Sequence, residues 1–333
     1  MKGILESIGD NLMFALKKDK LIQTAVCVND RGYSFVTLKD NKTVMLHYHH
    51  QFTDKTKKQL ARQLANDIER LNLIGERCRL ILLPNQYQLL SMDAADVPDD
   101  ELAKALKWRL KGLVDYPLND LAVDAFLVPP HGPAGQRKKA FVAATSLSAL
   151  NKSIALFESA YVDIVEVGIA ELALRNICST IPTQQKNPII VISLEGEVCQ
   201  LHLLYQGKLY LARVLPLTQK MANDNTFQAQ NMVLEVQRSI DYCLSELKIS
   251  EPREIILTPS FYQATALLEH LRETLNKEIK LLDLCDHFSM DSALSPEDQQ
   301  NVLFSLGGAM TLAAKENEPS GTDSGVGDEA TGS

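Results

Sequence analysis

Short β-type segments, in which apolar residues alternate with polar ones or run together, occur in two sets of three along the chain. The first set covers residues 24–28, 33–38 and 43–48, and the second covers 188–194, 198–205 and 208–215. Turn residues separate the members of each set, so each set predicts a three-strand antiparallel meander. The recurrence of the pattern predicts a pair of related α/β domains.

Apolar residues at helical spacing follow each predicted meander. They predict helices over 54–73, 99–114, 148–159, 168–180, 229–247, 261–276 and 297–314, with further strands at 79–83, 124–128, 139–144, 162–167, 254–258 and 279–282. A polar, proline-containing stretch at 181–188 separates the two periodic blocks. We therefore expect a first lobe over 20–187, with an inserted subdomain at about 91–167, and a second lobe over 188–315.

The two ends of the chain fall outside these blocks. An apolar stripe predicts an amphipathic helix within residues 1–19; its members are Ile4, Ile8, Leu12 and Leu16. This helix packs on its own domain, lies on a membrane or docks on a partner, and packing is the favoured interpretation. Residues 316–333 hold five carboxylates, no basic residue and no large apolar residue, which predicts a disordered acidic tail.

Composition and charge narrow the classes of function. The chain has 333 residues, of which 45% are hydrophobic and 23% charged, and its net charge is −8. Most of that charge lies in the acidic tail, so the nearly neutral remainder does not predict nucleic-acid binding. The six cysteines are spread singly, and no apolar run approaches the ~20 residues of a membrane span. We expect a cytoplasmic protein.

Sequence motifs with a defined catalytic mechanism are not found, whether a phosphate-binding loop, a nucleophile elbow or a zinc-protease signature. His47, His49 and His50 form the only histidine cluster, and His47 and His49 share one face of a predicted strand. A metal would need further ligands that the sequence does not identify. The favoured interpretation is a solvated edge strand, and no metal site is predicted.

Several individually weak motifs occur in a characteristic order. They are 97–102, which leads a helix ending near 115–117, then Asp124, 207–213, 231–242 and 305–309. In this order they resemble the PilM/MshI family of type IV pilus assembly proteins, over roughly residues 20–314. The resemblance implies an α/β chain with the actin-like, ribonuclease H-like fold, in which two lobes duplicate a meander-plus-helix domain.

In that family, ATP lies between the lobes, held by two glycine-containing hairpin turns, and an aspartate on the strand of each turn serves Mg²⁺. At the first hairpin, Cys27 stands at the acid position and Asn29 at the glycine position. At the second hairpin, Ser193 and Glu195 stand at the equivalent positions. A carboxylate in a phosphate pocket repels phosphate unless a metal bridges the two charges. The resemblance therefore implies a degenerate nucleotide site.

A third family signature, Gly-Gly beneath the nucleoside, is replaced here by Pro259 and Ser260. By resemblance, the candidate residues of the degenerate site are Asn29, Asp30, Gly32, Ser193, Glu195, Gly196, Glu235, Arg238, Gly307 and Gly308. Glu235 and Arg238 share one face of a predicted helix with Tyr242. There they contact a nucleoside, or they form an i,i+3 pair on a solvated face, which is the favoured interpretation.

The single tryptophan lies on the polar face of the helix predicted over 99–114. Lys104, Trp108 and Lys111 lie opposite an apolar stripe formed by Leu102, Leu106, Leu110 and Leu113. An exposed tryptophan beside lysines predicts a partner-contact surface. The alternative is that Trp108 packs beneath the turn at 116–117.

The resemblance implies a cytoplasmic adaptor, peripheral at the inner membrane, that binds the cytoplasmic tail of a PilN-like inner-membrane protein. Membrane attachment would come through that partner, or weakly through the N-terminal helix. Because the departures at both hairpins remove metal positioning, we expect no catalysis, and ATP and Mg²⁺ are not expected as cofactors. The alternatives are an ATP-binding or ATP-hydrolysing actin-like protein of pilus or type II secretion assembly, and a sugar kinase of the same superfold.

Overall fold

The computed structural model describes residues 23–53, 59–130, 138–215 and 226–310. Within them, two five-stranded sheets share one topology. In each, a three-strand antiparallel meander is extended, on the side of its first strand, by two parallel strands. The recurring sequence pattern therefore corresponds to two lobes of the same architecture.

The first sheet has the spatial order β3-β2-β1-β4-β8. Its strands are β1 (Thr24–Val28), β2 (Gly32–Leu38), β3 (Val44–Gln51), β4 (Arg77–Leu82) and β8 (Asp163–Ile169). All five residues of the central β1 are buried, because apolar side chains cover both faces of the sheet. The predicted edge position of the histidine-containing strand is confirmed, since β3 forms one edge.

The second sheet has the order β11-β10-β9-β12-β13. Its strands are β9 (Ile189–Glu195), β10 (Val198–Tyr205), β11 (Lys208–Leu215), β12 (Glu254–Leu257) and β13 (Glu278–Leu281). The apolar run at the start of the second lobe forms the central β9, which is buried up to its last residue. Such an uninterrupted run is typical of a strand covered on both faces.

A third, smaller sheet lies between residues 88 and 146. Its strands are β5 (Gln88–Asp93), β6 (Leu121–Leu127) and β7 (Lys139–Ser146), in the order β5-β7-β6. The sequence did not predict β5, whose side chains are mostly only partly buried and carry a weak pattern. By contrast, two segments that the sequence placed in the inserted subdomain belong with the first sheet. The helix over 147–158 packs on that sheet, and β8 pairs with its strand β4.

Helices cover the sheets. They are α1 (Leu60–Arg70), α2 (Leu102–Lys107), α3 (Leu147–Glu158), α4 (Ala170–Cys178), α5 (Thr183–Lys186), α6 (Thr226–Ser245), α7 (Thr265–Thr274) and α8 (Pro296–Ala309), with 3₁₀ turns at Asp99–Glu101, Trp108–Leu110, Leu118–Asp120, Pro259–Phe261 and Leu284–Asp286. Ser295 begins α8 by accepting a hydrogen bond from the Asp298 amide at 3.1 Å.

The lobes are joined where α4 packs against α8. Most of α8 is buried, and its C-terminal half carries Gly307 and Gly308. A Cβ at Gly307 would overlap the carbonyl oxygen of Ala173 in α4, and a Cβ at Gly308 would overlap the side chain of Ile81 in β4. Gly307 therefore permits the close approach of α4 and α8, and Gly308 permits the close approach of α8 and β4; both are reasons for glycine independent of any ligand.

Two predicted helices end earlier than their periodicity suggested. The helix predicted over 99–114 ends at Leu110, because Gly112 adopts a positive φ of 77° and turns the chain. Leu113 was therefore wrongly assigned to the buried stripe, and it is 58% exposed. The helix predicted to reach residue 314 ends at Ala309, and Met310 is extended. Its last carbonyls accept hydrogen bonds from Arg79 and Asn176 instead.

Three predictions lie outside the described residues or partly so: the N-terminal helix within 1–19, the acidic tail over 316–333, and the first residues of the helix over 54–73. Within the described ranges, no helix combines the length and the hydrophobicity that crossing a membrane requires.

Candidate functional site

The turn between β1 and β2 is organised by the side chain of Asn29. Its Oδ1 accepts hydrogen bonds from the amides of Arg31 and Gly32, at 2.8 and 2.9 Å. This arrangement is an Asx-type turn, which explains an asparagine at this position. Gly32 is needed because a Cβ would overlap the carbonyl oxygen of His50 on β3. Asp30 lies exposed at the tip.

The equivalent turn of the second lobe joins β9 to β10. Gly196 adopts a positive φ of 59°, which favours glycine. Glu195 precedes it, and its side chain is 11% exposed. The two turns face each other across the lobes, so Glu195 points at the first turn rather than at solvent.

Glu195 binds both lobes at once. One carboxylate oxygen forms an ion pair with the Arg31 guanidinium and accepts a hydrogen bond from Asn29 Nδ2 at 3.3 Å. The other accepts one from Gln300 Nε2 of α8 at 3.1 Å, and the same amide donates to the Leu194 carbonyl. The two hairpin turns are thus bonded directly to each other.

Burial and charge at this junction disfavour a metal–phosphate site. Burial raises the pKa of Glu195, while Arg31, Gln300 and Asn29 oppose that shift. Burial, together with the charge of Glu195, raises the pKa of the Cys27 thiol, so this side chain is neutral. Ser193 is buried on β9. Neither strand therefore offers a carboxylate for Mg²⁺ at the position that the resemblance assigns to an aspartate.

The cavity at the junction has a volume of about 100 Å³. Pockets for drug-sized ligands measure about 300–1,000 Å³, so this cavity is smaller than is typical of a ligand pocket. Among the candidate residues of the degenerate site, Asn29, Gly32 and Glu195 line it. The sequence missed two important participants, Arg31 and Gln300, because a turn arginine and a helix glutamine carry no signal of a contact so far along the chain.

The other candidate residues lie elsewhere. Glu235 and Arg238 form an i,i+3 ion pair of 2.6 Å on α6, with Arg238 58% exposed, which fits the favoured interpretation of a solvated pair. Neither lines the junction cavity. Gly307 lies against α4 and Gly308 against β4, and in both places protein atoms occupy the space beside the glycine.

A second cleft between the lobes, of about 400 Å³, has Glu171 of α4 in its lining. The carboxylate of Glu171 is buried; it accepts hydrogen bonds from the Tyr87 hydroxyl and from Gln200 Nε2 of β10, the latter at 2.8 Å. Burial raises the pKa of Glu171, and the two hydrogen bonds oppose this. Sequence reasoning missed this residue, since an acid in the first turn of a helix is ordinary.

The predicted partner surface is exposed. Trp108 is 76% exposed, and Lys104 and Lys111 are exposed as well. The alternative that Trp108 packs beneath the turn at 116–117 is therefore wrong. Lys111 follows the end of the helical segment, so it is no longer held on the same helical face as the other two.

The part of the chain that the structure describes contains no group of three or more His, Cys, Asp or Glu side chains that could hold a metal ion. His49 lies 3.8 Å from Asp298. His50 stacks on Tyr33 and lies 3.6 Å from Asp67. His49 and His50 thus have separate neighbours.

No protein-family model matches the chain, and no curated protein matches its sequence. Among solved structures, a chain of a PilM–PilN type IV pilus biogenesis complex superposes with a TM-score of 0.69 at 14% identity, covering 87% of this chain and 98% of that chain. A Bacteroides thetaiotaomicron protein of unknown function, described as having an actin-like ATPase fold, superposes with a TM-score of 0.51 at 11% identity, covering 87% and 98%.

The chain has the actin-like ATPase fold. The predicted fold class is therefore confirmed. At such low identities the likeness establishes the fold, and function has to be argued from the residues of this chain.

The contact between Arg31 and Glu195 should be measurable as coupling between the lobes. We expect a double-mutant cycle of Arg31→Ala and Glu195→Ala to give a coupling energy of about 1 kcal/mol. A fully buried pair would give more, but Arg31 is partly exposed and water screens its charge. Urea unfolding of the four proteins measures it. The surface pair Glu235 and Arg238 is the control, for which about 0.3–0.5 kcal/mol is expected. Equal coupling in both cycles would show that the junction contact is no stronger than a surface pair.

Proposed function

We propose that the protein is a non-catalytic cytoplasmic adaptor of a type IV pilus assembly platform of the MSHA type. In this role it binds the cytoplasmic tail of a PilN-like inner-membrane protein and is held at the inner membrane through that partner. The observation that carries the non-catalytic role is the direct bonding of the two hairpins through Glu195. The choice of partner is supported by a fold likeness that extends over 98% of a chain from a PilM–PilN complex.

The bonded hairpins oppose phosphate binding in two ways. Glu195 places a carboxylate where a phosphate chain would need backbone amides, and Arg31, which could have attracted phosphate, is already paired with it. Cys27 and Ser193 stand at the strand positions that the resemblance assigns to the Mg²⁺-binding acids, and the carboxylate at the end of β9, Glu195, is already paired with Arg31. A nucleotide would therefore have to break an existing contact and bind without its metal.

The second cleft, of about 400 Å³, favours a second candidate function, nucleotide binding without hydrolysis. Arg213 at its lining could attract a phosphate, whereas the buried Glu171 would repel one. Equilibrium binding of a fluorescent ATP analogue separates the candidates. Saturable binding that Arg213→Ala weakens would favour the nucleotide-binding protein, and no binding up to millimolar concentration would favour the adaptor.

We expect no ATP hydrolysis above the buffer background when the purified protein is incubated with Mg²⁺ and ATP. Catalysis of phosphoryl transfer needs the metal and the preorganised donors that both hairpins lack. A continuous phosphate-release assay measures this. Turnover that disappears in Glu195→Ala or Glu235→Ala would contradict the proposal, because a contaminating ATPase would be unaffected by either change.

Partner binding is tested by recovery from membranes. The tagged protein, incubated with detergent-solubilised membranes of its native host, should retain a PilN-like protein identified by mass spectrometry. A synthetic peptide with the cytoplasmic tail sequence of that protein should then bind the purified chain directly. Failure of both experiments would overturn the adaptor role.

Trp108 is the first residue to test as the contact. We expect Trp108→Ala to weaken peptide binding by about 2 kcal/mol, roughly 30-fold, as for an aromatic anchor at an interface. Its stability should change little, because the side chain is already 76% exposed. The fluorescence of this tryptophan should be quenched by iodide in the free protein and shift blue on peptide addition.

Tyr262→Ala is the matched control, since Tyr262 is also an exposed aromatic residue, 58% exposed, and lies in the second lobe. It should leave binding unchanged. The peptide could bind the Trp108→Ala variant as tightly as the unchanged protein, and leave the fluorescence of Trp108 in the unchanged protein unaltered. Both results together would show that the partner surface lies elsewhere on the protein.

A further inference from the structure

The cleft of about 400 Å³ beside Glu171 has mostly apolar walls. Leu90 of β5 and Leu113 line it from the inserted sheet, and Val198 of β10 and Val214 of β11 line it from the second lobe. Leu113 and Val214 are 58% and 69% exposed, so the mouth of the cleft presents apolar side chains to solvent. A ligand with an apolar body can therefore bind between these walls.

Two polar residues lie at the inner end of the cleft. Glu171 of α4 is 1% exposed, and Gln200 of β10 is 5% exposed. The Glu171 carboxylate accepts a hydrogen bond from the Tyr87 hydroxyl and another from Gln200 Nε2, whereas an ionised carboxylate has about four acceptor positions. Gln200 Oε1 has no hydrogen-bond partner among the described residues. The inner end therefore has acceptors that only an added donor would satisfy.

Arg213 also lines the cleft, but it forms no ion pair with Glu171. In the register of β10 and β11, Arg213 stands opposite Leu201, the residue that follows Gln200. Because successive residues of a strand point to opposite faces, Arg213 and Gln200 lie on opposite faces of the second sheet. The Arg213 guanidinium lies over the ring of Tyr242, 5.5 Å from its centroid. Its charge is therefore directed away from the bonded pair of Gln200 and Glu171.

No other cation of the described residues compensates the charge of Glu171. His202 lies on the same face of β10 as Gln200, and burial lowers its pKa to about 4, so its imidazole is neutral at pH 7. Burial raises the pKa of Glu171, which reflects the cost of keeping its negative charge away from water. A cation bound beside Glu171 would recover part of that cost through charge-assisted hydrogen bonds. The site therefore favours a cation over an anion.

An organic cation suits these acceptors better than a metal ion. Within the described ranges, no group of three or more His, Cys, Asp or Glu side chains is placed to hold a metal. An ammonium or guanidinium group instead offers several N–H donors at once. The volume of about 400 Å³ lies within the range of about 300–1,000 Å³ that is usual for small-molecule pockets.

We propose that the cleft binds a small organic cation, a primary ammonium or guanidinium group carried on an apolar chain. The charged group donates to the Glu171 carboxylate and to Gln200 Oε1, and the chain lies against Leu113 and Val214. Because the two acceptors are buried and the two apolar residues are exposed, the charged group enters first. The site goes beyond the adaptor role and does not depend on it, since Trp108 does not line this cleft.

The test uses the full chain and two simple probes, n-hexylammonium and n-hexylguanidinium, in ligand-observed NMR titrations. Each probe should bind saturably. 1-Hexanol and hexanoate carry the same chain on a neutral or a negative head group, and they should bind about tenfold more weakly or worse, as expected for loss of one charge-assisted hydrogen bond.

Three variants locate the binding site. Glu171→Gln keeps the shape of the side chain and removes its charge, so it should lower the affinity for n-hexylammonium about tenfold and leave that for 1-hexanol unchanged. Val214→Lys places a positive charge at the mouth and should also weaken binding of n-hexylammonium relative to 1-hexanol. Because Val214 is 69% exposed, this variant should fold even if Glu171→Gln does not. Glu269→Gln changes an exposed acid of α7 and should alter neither affinity.

Two results would overturn the proposal directly: equal affinity for n-hexylammonium and 1-hexanol, or cation binding that neither Glu171→Gln nor Val214→Lys weakens. Competition with the tail peptide of the proposed partner identifies the source of the cation. Displacement of n-hexylammonium by the peptide would show that a basic side chain of the partner fills the cleft, and would overturn the assignment to a small molecule. Simultaneous binding of the peptide and n-hexylammonium supports it.

Discussion

Arg79→Ala is expected to lower the free energy of unfolding by about 3–5 kcal/mol, the usual cost of removing one partner of a buried ion pair. Arg79 is 4% exposed, and its partner Glu166, 3.0 Å away, has a side chain only 10% exposed. The substitution also removes the donor to the carbonyl of Gly308 in α8 and to that of Met310 directly after the helix. Chemical unfolding followed by circular dichroism measures the loss.

The pH dependence of that loss identifies its cause. Burial raises the pKa of Glu166, and Arg79 opposes the shift. Without Arg79, the pKa of Glu166 should rise further above its unfolded value, so the penalty is full at pH values above the raised pKa and shrinks as the pH falls and the carboxyl is protonated. A loss that stays constant between pH 7 and pH 5 would instead point to the missing α8 contacts.

Two further variants serve as controls. Arg238→Ala removes an exposed arginine and should cost no more than about 0.5 kcal/mol. The double variant Arg79→Leu with Glu166→Leu removes both charges and should recover much of the loss, because the desolvation penalty disappears with them. A single-variant loss below about 1 kcal/mol would mean that water reaches Glu166 and that the pair is not buried in solution.

Sequence periodicity was most informative where a strand is covered on both faces. β1 and β9 are central strands of their sheets, and both read as apolar runs that no helix pattern competes with. The strands that follow them in each meander were predicted from turn residues and from the alternation of apolar and polar positions. The same two signals predicted that the meander occurs twice. The two-lobed fold could therefore be predicted from local patterns that occur twice.

The inserted sheet was less predictable. The side chains of β5 are mostly only partly buried, so its alternation is weak, and its partner β7 lies about fifty residues along the chain. The strand β8 was predicted, but not its pairing with β4, because pairing depends on which face the intervening chain packs against. The predicted ends of two helices were also wrong. The turn at Gly112 and the hydrogen bond from Arg79 to the Gly308 carbonyl end these helices without changing the spacing of their apolar residues, so the spacing did not indicate where they end.

The candidate site shows the same division. The resemblance to the PilM/MshI family marked Glu195 as a carboxylate in a position where phosphate binding needs glycine. Its bond to Arg31 joins residues 164 positions apart, and no local pattern indicates it. The two lobes have to be assembled before the contact, and with it the closure of the hairpins, becomes visible.

Gly307 gives a direct test of whether a residue assigned by resemblance serves a ligand or the fold. Alanine in the middle of a helix is normally more stable than glycine by about 0.5–1 kcal/mol. Here the added Cβ would overlap the backbone carbonyl of Ala173, which cannot rotate away as a side chain would. We therefore expect Gly307→Ala to destabilise the protein by about 3 kcal/mol, at the upper end for overpacking, because α4 and α8 must separate.

Gly308→Ala meets the side chain of Ile81 instead, so Ile81→Ala should relieve part of its effect, whereas no side-chain change should rescue Gly307→Ala. Thermal and urea unfolding of these variants show whether each substitution raises or lowers the free energy of unfolding. If Gly307→Ala proved neutral or stabilising but abolished binding of an ATP analogue, Gly307 would belong to a nucleotide site after all, and the contact between α4 and α8 would be looser than the structure has it.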